Sequence, residues 1–270
     1  AARGSFPGCV AIIARGGEVV HFEAYGHQDA ARTKPMRKDT IFLQASMTKP
    51  ITSVAAMMLV EEGKMKLSDP IGDVLPELAN LKVELRREGQ PAEDVAPTRP
   101  PRIQDLLRHS AGFVYADSAP SARIRDMYNS ANIAAADGPI TGDEMLRRLG
   151  SIPLAHQPGT MFHYSVATDV LGWLVQVVSG RPFEQFLADE IFAPLGMVDT
   201  GFHVREGQQH RFAACYQPDK TGSITLQDDP TTSSYLTAPS FISGGGGLVS
   251  TASDYLQFCR MLLNGGTLKA

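Results

Sequence analysis

IFLQASMTKPITSVAAMMLVEEG, residues 41–63, is the stretch on which the reading of the fold turns. It opens with an apolar approach, Ile41-Phe42-Leu43, passes through Ser46-Met47-Thr48-Lys49 and runs into a helix signal. Pro50 stands early, Val54, Met57, Met58 and Leu59 form an apolar stripe, and Gly63 marks the stop. Of the 18 serines in the chain, only Ser46 has a lysine three residues on. If the helix begins near Ser46, three residues advance about 4.5 Å and turn about 300°, so Ser46 and Lys49 share a face. Their side chains then meet, and the helix N-terminus adds positive potential beside the hydroxyl. A serine needs that help, because it is weakly nucleophilic until a neighbouring base takes its proton. The plainer alternative is that Ser46 or Thr48 caps the helix while Lys49 is solvated.

Upstream, the first 30 residues read as a hairpin. Residues 10–14 are continuously apolar, Gly16-Gly17 supplies the turn, and Val20, Phe22 and Ala24 alternate with His21, Glu23 and Tyr25. A continuously apolar strand is covered on both faces, so the first strand is expected inside a larger sheet. Downstream, residues 81–102 are charged, rich in proline and without periodicity, which predicts a surface excursion. A second excursion of small residues is expected at 118–138. Helices are predicted at 143–149, 167–179, 182–192 and 252–263, with loops and weak strands over 201–243. The class is α+β: an antiparallel sheet beside a helical lobe at about residues 65–200, the whole forming one domain.

Composition narrows the function. The chain has 270 residues, with 43% hydrophobic and 20% charged residues, which is ordinary for a globular protein. A net charge of −4 argues against a nucleic-acid partner. The longest apolar run, residues 54–60, is too short to span a membrane. Cys9, Cys215 and Cys259 form neither a disulfide scaffold nor a CxxC pair, and no secretory signal opens the sequence. A reducing, cytoplasmic setting is therefore expected. No HExxH or GxSxG occurs, so neither a zinc hydrolase nor an α/β-hydrolase elbow has support, and no metal or organic cofactor is expected.

Other candidates are local. Tyr164, in Phe162-His163-Tyr164-Ser165, stands between the turn at Pro158-Gly159 and a helix. It is either a buried aromatic or, with a cation such as Lys49 beside it, a base. Ser243-Gly244-Gly245-Gly246-Gly247 has no Gly-Lys-Ser/Thr after it and reads as close backbone packing rather than a phosphate cradle. Arg108-His109-Ser110-Ala111-Gly112 reads as a helix C-terminus with His109 on the dipole. Met57 and Met58 read as core filling.

Taken in order, Ser46-Met47-Thr48-Lys49-Pro50, Leu106-Leu107-Arg108-His109-Ser110-Ala111-Gly112, Pro158-Gly159 leading to Tyr164-Ser165, Pro194-Leu195-Gly196-Met197 and the Ser243–Gly247 glycine run resemble a known pattern. The chain resembles the serine β-lactamase and penicillin-binding protein superfamily, in its class C-like branch, and there the family VIII carboxylesterases and related acyltransferases. The likeness extends from about residue 7 to 265. It implies a β-lactamase/transpeptidase-like fold, with Ser46 as nucleophile, Lys49 as its activating partner and Tyr164 as general base and later general acid. It also implies that the Ser46 backbone N–H is one arm of an oxyanion hole. Two departures stand out. Val166 occupies the position where β-lactamases of this branch carry Asn, which favours esters over β-lactams. The third motif of the family, on a C-terminal strand, does not occur, so a further segment of the same polypeptide is expected to complete the sheet. Phe113, Tyr115 and Val166 are the expected substrate-contacting residues. The expectation is a serine ester hydrolase acting on a small-molecule ester. The alternatives are a β-lactamase or D-alanyl-D-alanine carboxypeptidase-like hydrolase, and an inactive homologue that binds.

Overall fold

A computed structural model describes residues 6–133, 140–220 and 223–267. The strands are β1 (Gly8–Arg15), β2 (Glu18–Gly26), β3 (Phe42–Leu43), β4 (Val83–Leu85), β5 (Glu93–Val95), β6 (Cys215–Pro218), β7 (Ile224–Asp228) and β8 (Val249–Ser250). The helices are α1 (Thr48–Glu61), α2 (Ile103–Leu107), α3 (Ala122–Ser130), α4 (Gly142–Leu149), α5 (Ala167–Ser179), α6 (Phe183–Leu187), α7 (Ala193–Leu195) and α8 (Ala252–Leu263). The chain divides into two compact units. One comprises Ala1–Ala45, Leu187–Pro239 and Gly247–Ala270; the other comprises Ser46–Phe186 and Ser240–Gly246.

In the first unit β1 and β2 pair antiparallel through a two-residue turn. Gly16 and Gly17 take φ of +58° and +86°, the positive values that a twist-matched hairpin turn demands and glycine supplies freely. The register jumps from Ile13↔His21 to Ala14↔Val19, so Val20 is an unpaired bulge residue and is 62% exposed. That bulge breaks the expected alternation of β2. Among the described residues β1 pairs with β2 alone and packs against α8. Its residues are half-buried or exposed rather than covered on both faces. β3 pairs antiparallel with β8, and Ile41, Val204, Phe212 and Val249 form the buried cluster behind them. The segment 201–243 contains the β6–β7 hairpin.

In the second unit α1 and α2 both pack on α5. Ile51, Ala55 and Leu59, one helical turn apart, are fully buried on α1. Met57 lies about 240° around the helix from Ile51 and is 41% exposed, so it is not core filling. Residues 81–102 are not a bare surface excursion, because β4 and β5 pair there and Leu81, Val83 and Glu84 are buried. Arg123 on α3 makes this possible: it forks onto Asp94 at 2.7 Å through both Nη atoms and reaches Glu84 at 3.4 Å. Residues 118–138 hold α3, capped by the Ser121 hydroxyl, and positions 134–138 of that excursion lie outside the described residues. The helix expected at 182–192 is α6 followed by a π-helical turn over Ala188–Phe192.

Candidate active site

Ser46, Lys49, Tyr164 and the glycine run up to Gly246 all belong to the second unit. Ser46 lies in a tight helical turn, Ala45–Met47, immediately before α1, at the N-terminal end of that helix. Lys49, one turn on, sends Nζ to Ser46 Oγ at 3.2 Å and donates to the Gly245 carbonyl at 2.6 Å. The Tyr164 hydroxyl donates to Ser46 Oγ at 2.5 Å. Nζ of Lys49 also stands 4.6 Å from the centre of the Tyr164 ring. One serine oxygen thus receives both a phenol and an ammonium; the one-turn spacing predicts the lysine contact alone.

The Gly245 carbonyl is aimed by a buried carboxylate. Asp169, on the inner face of α5, accepts from the Ser243 hydroxyl at 2.6 Å and from the Gly245 N–H at 3.0 Å. Burial pushes its carboxyl above the ordinary range, while those two donors and Lys49 pull it back. The loop approaches α5 so closely that a Cβ on Gly244 would stand 2.6 Å from the Thr168 carbonyl. A Cβ on Gly245 would stand 2.6 Å from Asp169 Oδ2. Close backbone packing is therefore what the glycine run provides, with the Lys49 acceptor as its product.

His109 corrects another expectation. It follows α2, but its ring is turned into the site rather than lying as a cation on the helix dipole. Burial first, and then Lys49, push its pKa down to about 4, so the imidazole is neutral at ordinary pH. Its ring lies 4.8 Å from that of Tyr164. Nδ1 accepts the Ser165 N–H at 3.2 Å and lies 3.2 Å from the Ser165 hydroxyl. Its carbonyl accepts the His163 N–H at 2.8 Å.

The three expected substrate-contacting residues separate. Tyr115 is half-buried, its ring 5.7 Å from that of Tyr164 and 6.0 Å from Lys49 Nζ, and burial raises its phenol pKa. Phe113 is 1% exposed and Val166 is 0% exposed, so both side chains are packed inside rather than lining an open site. Val166 is the residue at the start of α5, where the turn from Ser165 directs its side chain inward. Sequence reasoning missed Asp169 and His109. A lone acid in the apolar run ATDVLGWLVQVV, residues 167–178, was the available signal for the first. Among the described residues no cluster of three or more His, Cys, Asp and Glu side chains could hold a metal.

A family model described as Beta-lactamase matches residues 1–270. The chain belongs to the beta-lactamase family. Its fold is β-lactamase/transpeptidase-like, with helices and antiparallel strands. Protein Rv1367c of Mycobacterium tuberculosis is 40% identical, over 98% of this chain and 64% of its own length. Esterase EstB of Burkholderia gladioli is 33% identical, over 93% of this chain and 64% of its own length. The solved structure of EstCE1, "a hydrolase with promiscuous acyltransferase activity", matches with a TM-score of 0.82 at 30% identity. That match covers 98% of this chain and 70% of EstCE1. The chain therefore spans just under two thirds of the length of these two curated beta-lactamase family relatives. None of its described helices is long and apolar enough to cross a membrane.

Proposed function

We propose that the protein is a serine ester hydrolase working through an acyl-enzyme on Ser46. The observation that carries the reading is the convergence of Tyr164 Oη and Lys49 Nζ on Ser46 Oγ, at 2.5 and 3.2 Å. Ser46 Oγ attacks the ester carbonyl as its proton passes to the Tyr164–Lys49 pair. The carbonyl oxygen becomes an oxyanion that takes the Ser46 N–H, the arm implied by the family pattern. When the carbonyl re-forms, the C–O bond to the alcohol breaks and Tyr164 returns the proton to the leaving alkoxide. A water then repeats the sequence on the acyl-enzyme, its proton going to the same pair and onward to Ser46 Oγ as the acid departs. An alcohol in place of that water makes the same chain an acyltransferase.

Esters as the substrate class rest on the esterase and hydrolase relatives. Val166 offers no amide hydrogen bond at the position where β-lactamases of this branch carry Asn, and its side chain is fully buried. The test uses the full-length protein. A fluorophosphonate probe should place its adduct on the Ser46 peptide, and Ser46→Ala should remove it. Short-chain p-nitrophenyl esters should be turned over with far higher kcat/KM than a chromogenic cephalosporin. Efficient cephalosporin turnover would instead indicate a β-lactamase, and no labelling at Ser46 would indicate a binding protein.

A further inference from the structure

Tyr164 is held by its two chain neighbours, and both neighbours are held by one residue. The N–H of His163 donates to the His109 carbonyl at 2.8 Å. The N–H of Ser165 donates to His109 Nδ1 at 3.2 Å. The Ser165 hydroxyl, itself accepting the Ala167 N–H at the start of α5, also points at Nδ1. The remaining ring nitrogen, Nε2, stands 3.5 Å from Thr168 Oγ1. The face of the imidazole lies along the Tyr164 ring at 4.8 Å, and Phe162 meets it edge-on at 5.9 Å. His109 itself sits at φ +52°, in the left-handed region that is uncommon for non-glycine residues and that histidine enters more readily than most. That backbone geometry allows its carbonyl and its ring to address the same short segment.

We propose that His109 is the positioning residue for Tyr164: its carbonyl and Nδ1 clamp the residues on either side of the tyrosine and fix the phenol on Ser46 Oγ. This rests on the reading of Ser46, Lys49 and Tyr164 as the hydrolytic centre. His109 touches neither the reacting oxygen nor the lysine ammonium by hydrogen bond, so it acts through Tyr164. The clamp needs Nδ1 as an acceptor, and an imidazolium would offer only donors. The charged and titratable groups that meet it are Lys49 on α1, Tyr164, whose ring lies 4.8 Å away, and His163, whose N–H its carbonyl accepts. The neighbouring Lys49 cation and burial both favour the uncharged ring, in agreement with the hydrogen-bond pattern.

The amide oxygen of asparagine occupies the place of Nδ1, and asparagine tolerates the left-handed backbone. Glutamine places its oxygen one bond farther, near Nε2, and leucine offers no acceptor. The experiment compares His109→Asn, His109→Gln and His109→Leu in the full-length protein, with kcat and KM measured on a p-nitrophenyl ester. Ser46→Ala serves as the blank. His109→Asn should keep kcat within about tenfold of the parent, whereas the other two should lose roughly 100-fold in kcat with KM little changed, as for a group displaced by about 1 Å. The rate of fluorophosphonate labelling at Ser46 should follow the same order. If leucine prevents folding, asparagine against glutamine carries the comparison. Equal kcat in those two, whether both unchanged or both lost, overturns the positioning role. A parent without Ser46-dependent turnover overturns the hydrolase reading instead.

Discussion

Lys49 stands between two acceptors, Ser46 Oγ at 3.2 Å and the Gly245 carbonyl at 2.6 Å, with its charge against the Tyr164 ring. An ammonium so placed favours negative charge on Ser46 Oγ and on the phenol that shares that oxygen, which makes lysine and tyrosine one unit. Lys49→Ala and Tyr164→Phe should therefore each remove most of kcat, and the double variant should be little worse than either. Additive losses in a double-mutant cycle would show that they act separately. His109 carries a second consequence. Its native pKa of about 4 lies below the unfolded value of about 6.5. As pH falls through 6.5 the unfolded chain takes up a proton that the native state refuses until about pH 4. Its contribution is complete above pH 6.5, declines between 6.5 and 4, and amounts to at most about 3 kcal/mol. Urea midpoints at pH 7 and 4.5 should differ more in the parent than in His109→Asn. Ser46, Lys49 and Tyr164 were legible because a one-turn spacing and an ordered set of motifs constrain them strongly. Val166 and Phe113 were misread because a position beside a motif gives a neighbour in sequence and not the direction of a side chain. His109 was misread because its left-handed backbone, invisible in the sequence, turns the ring away from the helix end.

At the scale of elements, the site is built where a glycine loop meets the flank of a helix. Gly244 and Gly172 face each other across that contact, and the Phe183 ring closes it on the same side of Gly172. Gly244→Ala would drive a Cβ to 2.6 Å from the Thr168 carbonyl. We expect it to lower stability by about 1–3 kcal/mol in thermal or urea unfolding, the usual cost of overpacking. Because the loop carries the Lys49 acceptor, kcat should fall in the folded fraction as well. α5 and α8 occupy the residues expected from sequence because each has both an apolar stripe and a local terminus signal. For α8 it is the Thr251 hydroxyl accepting the Asp254 N–H at 3.2 Å, and for α5 the left-handed Gly180. β4 and β5 escaped notice for the opposite reason. Three-residue strands carry no readable period, and what holds them is Arg123, brought in from a helix 28 residues beyond β5.

At the scale of the whole molecule, the β1–β2 hairpin packs against α8 yet leaves much of its apolar surface open. Ile13, Val19, Val20 and Tyr25 are between 43% and 62% exposed. Two strands alone are marginal in water. The expectation that a further segment of the polypeptide pairs with this hairpin has a direct test in hydrogen exchange. In a protein limited to residues 1–270, the β1 amides that do not face β2 should exchange among the fastest of the strand amides. In the full-length protein they should be protected to the level of the α1 and α5 amides. Equal, rapid exchange in both would show that no such pairing forms. The bulge at Val20 has a separate meaning for this exposed hairpin. Fibrils grow by stacking flat strands in continuous register, and a run such as Val19-Val20 beside Ile13 has the composition that favours them. One extra residue twists the ribbon and interrupts its ladder, so another copy cannot extend it in register without first undoing the kink. An irregularity of a single residue thus works against in-register stacking, alongside the exposed charges of Arg15, Glu18 and Glu23 on the same hairpin.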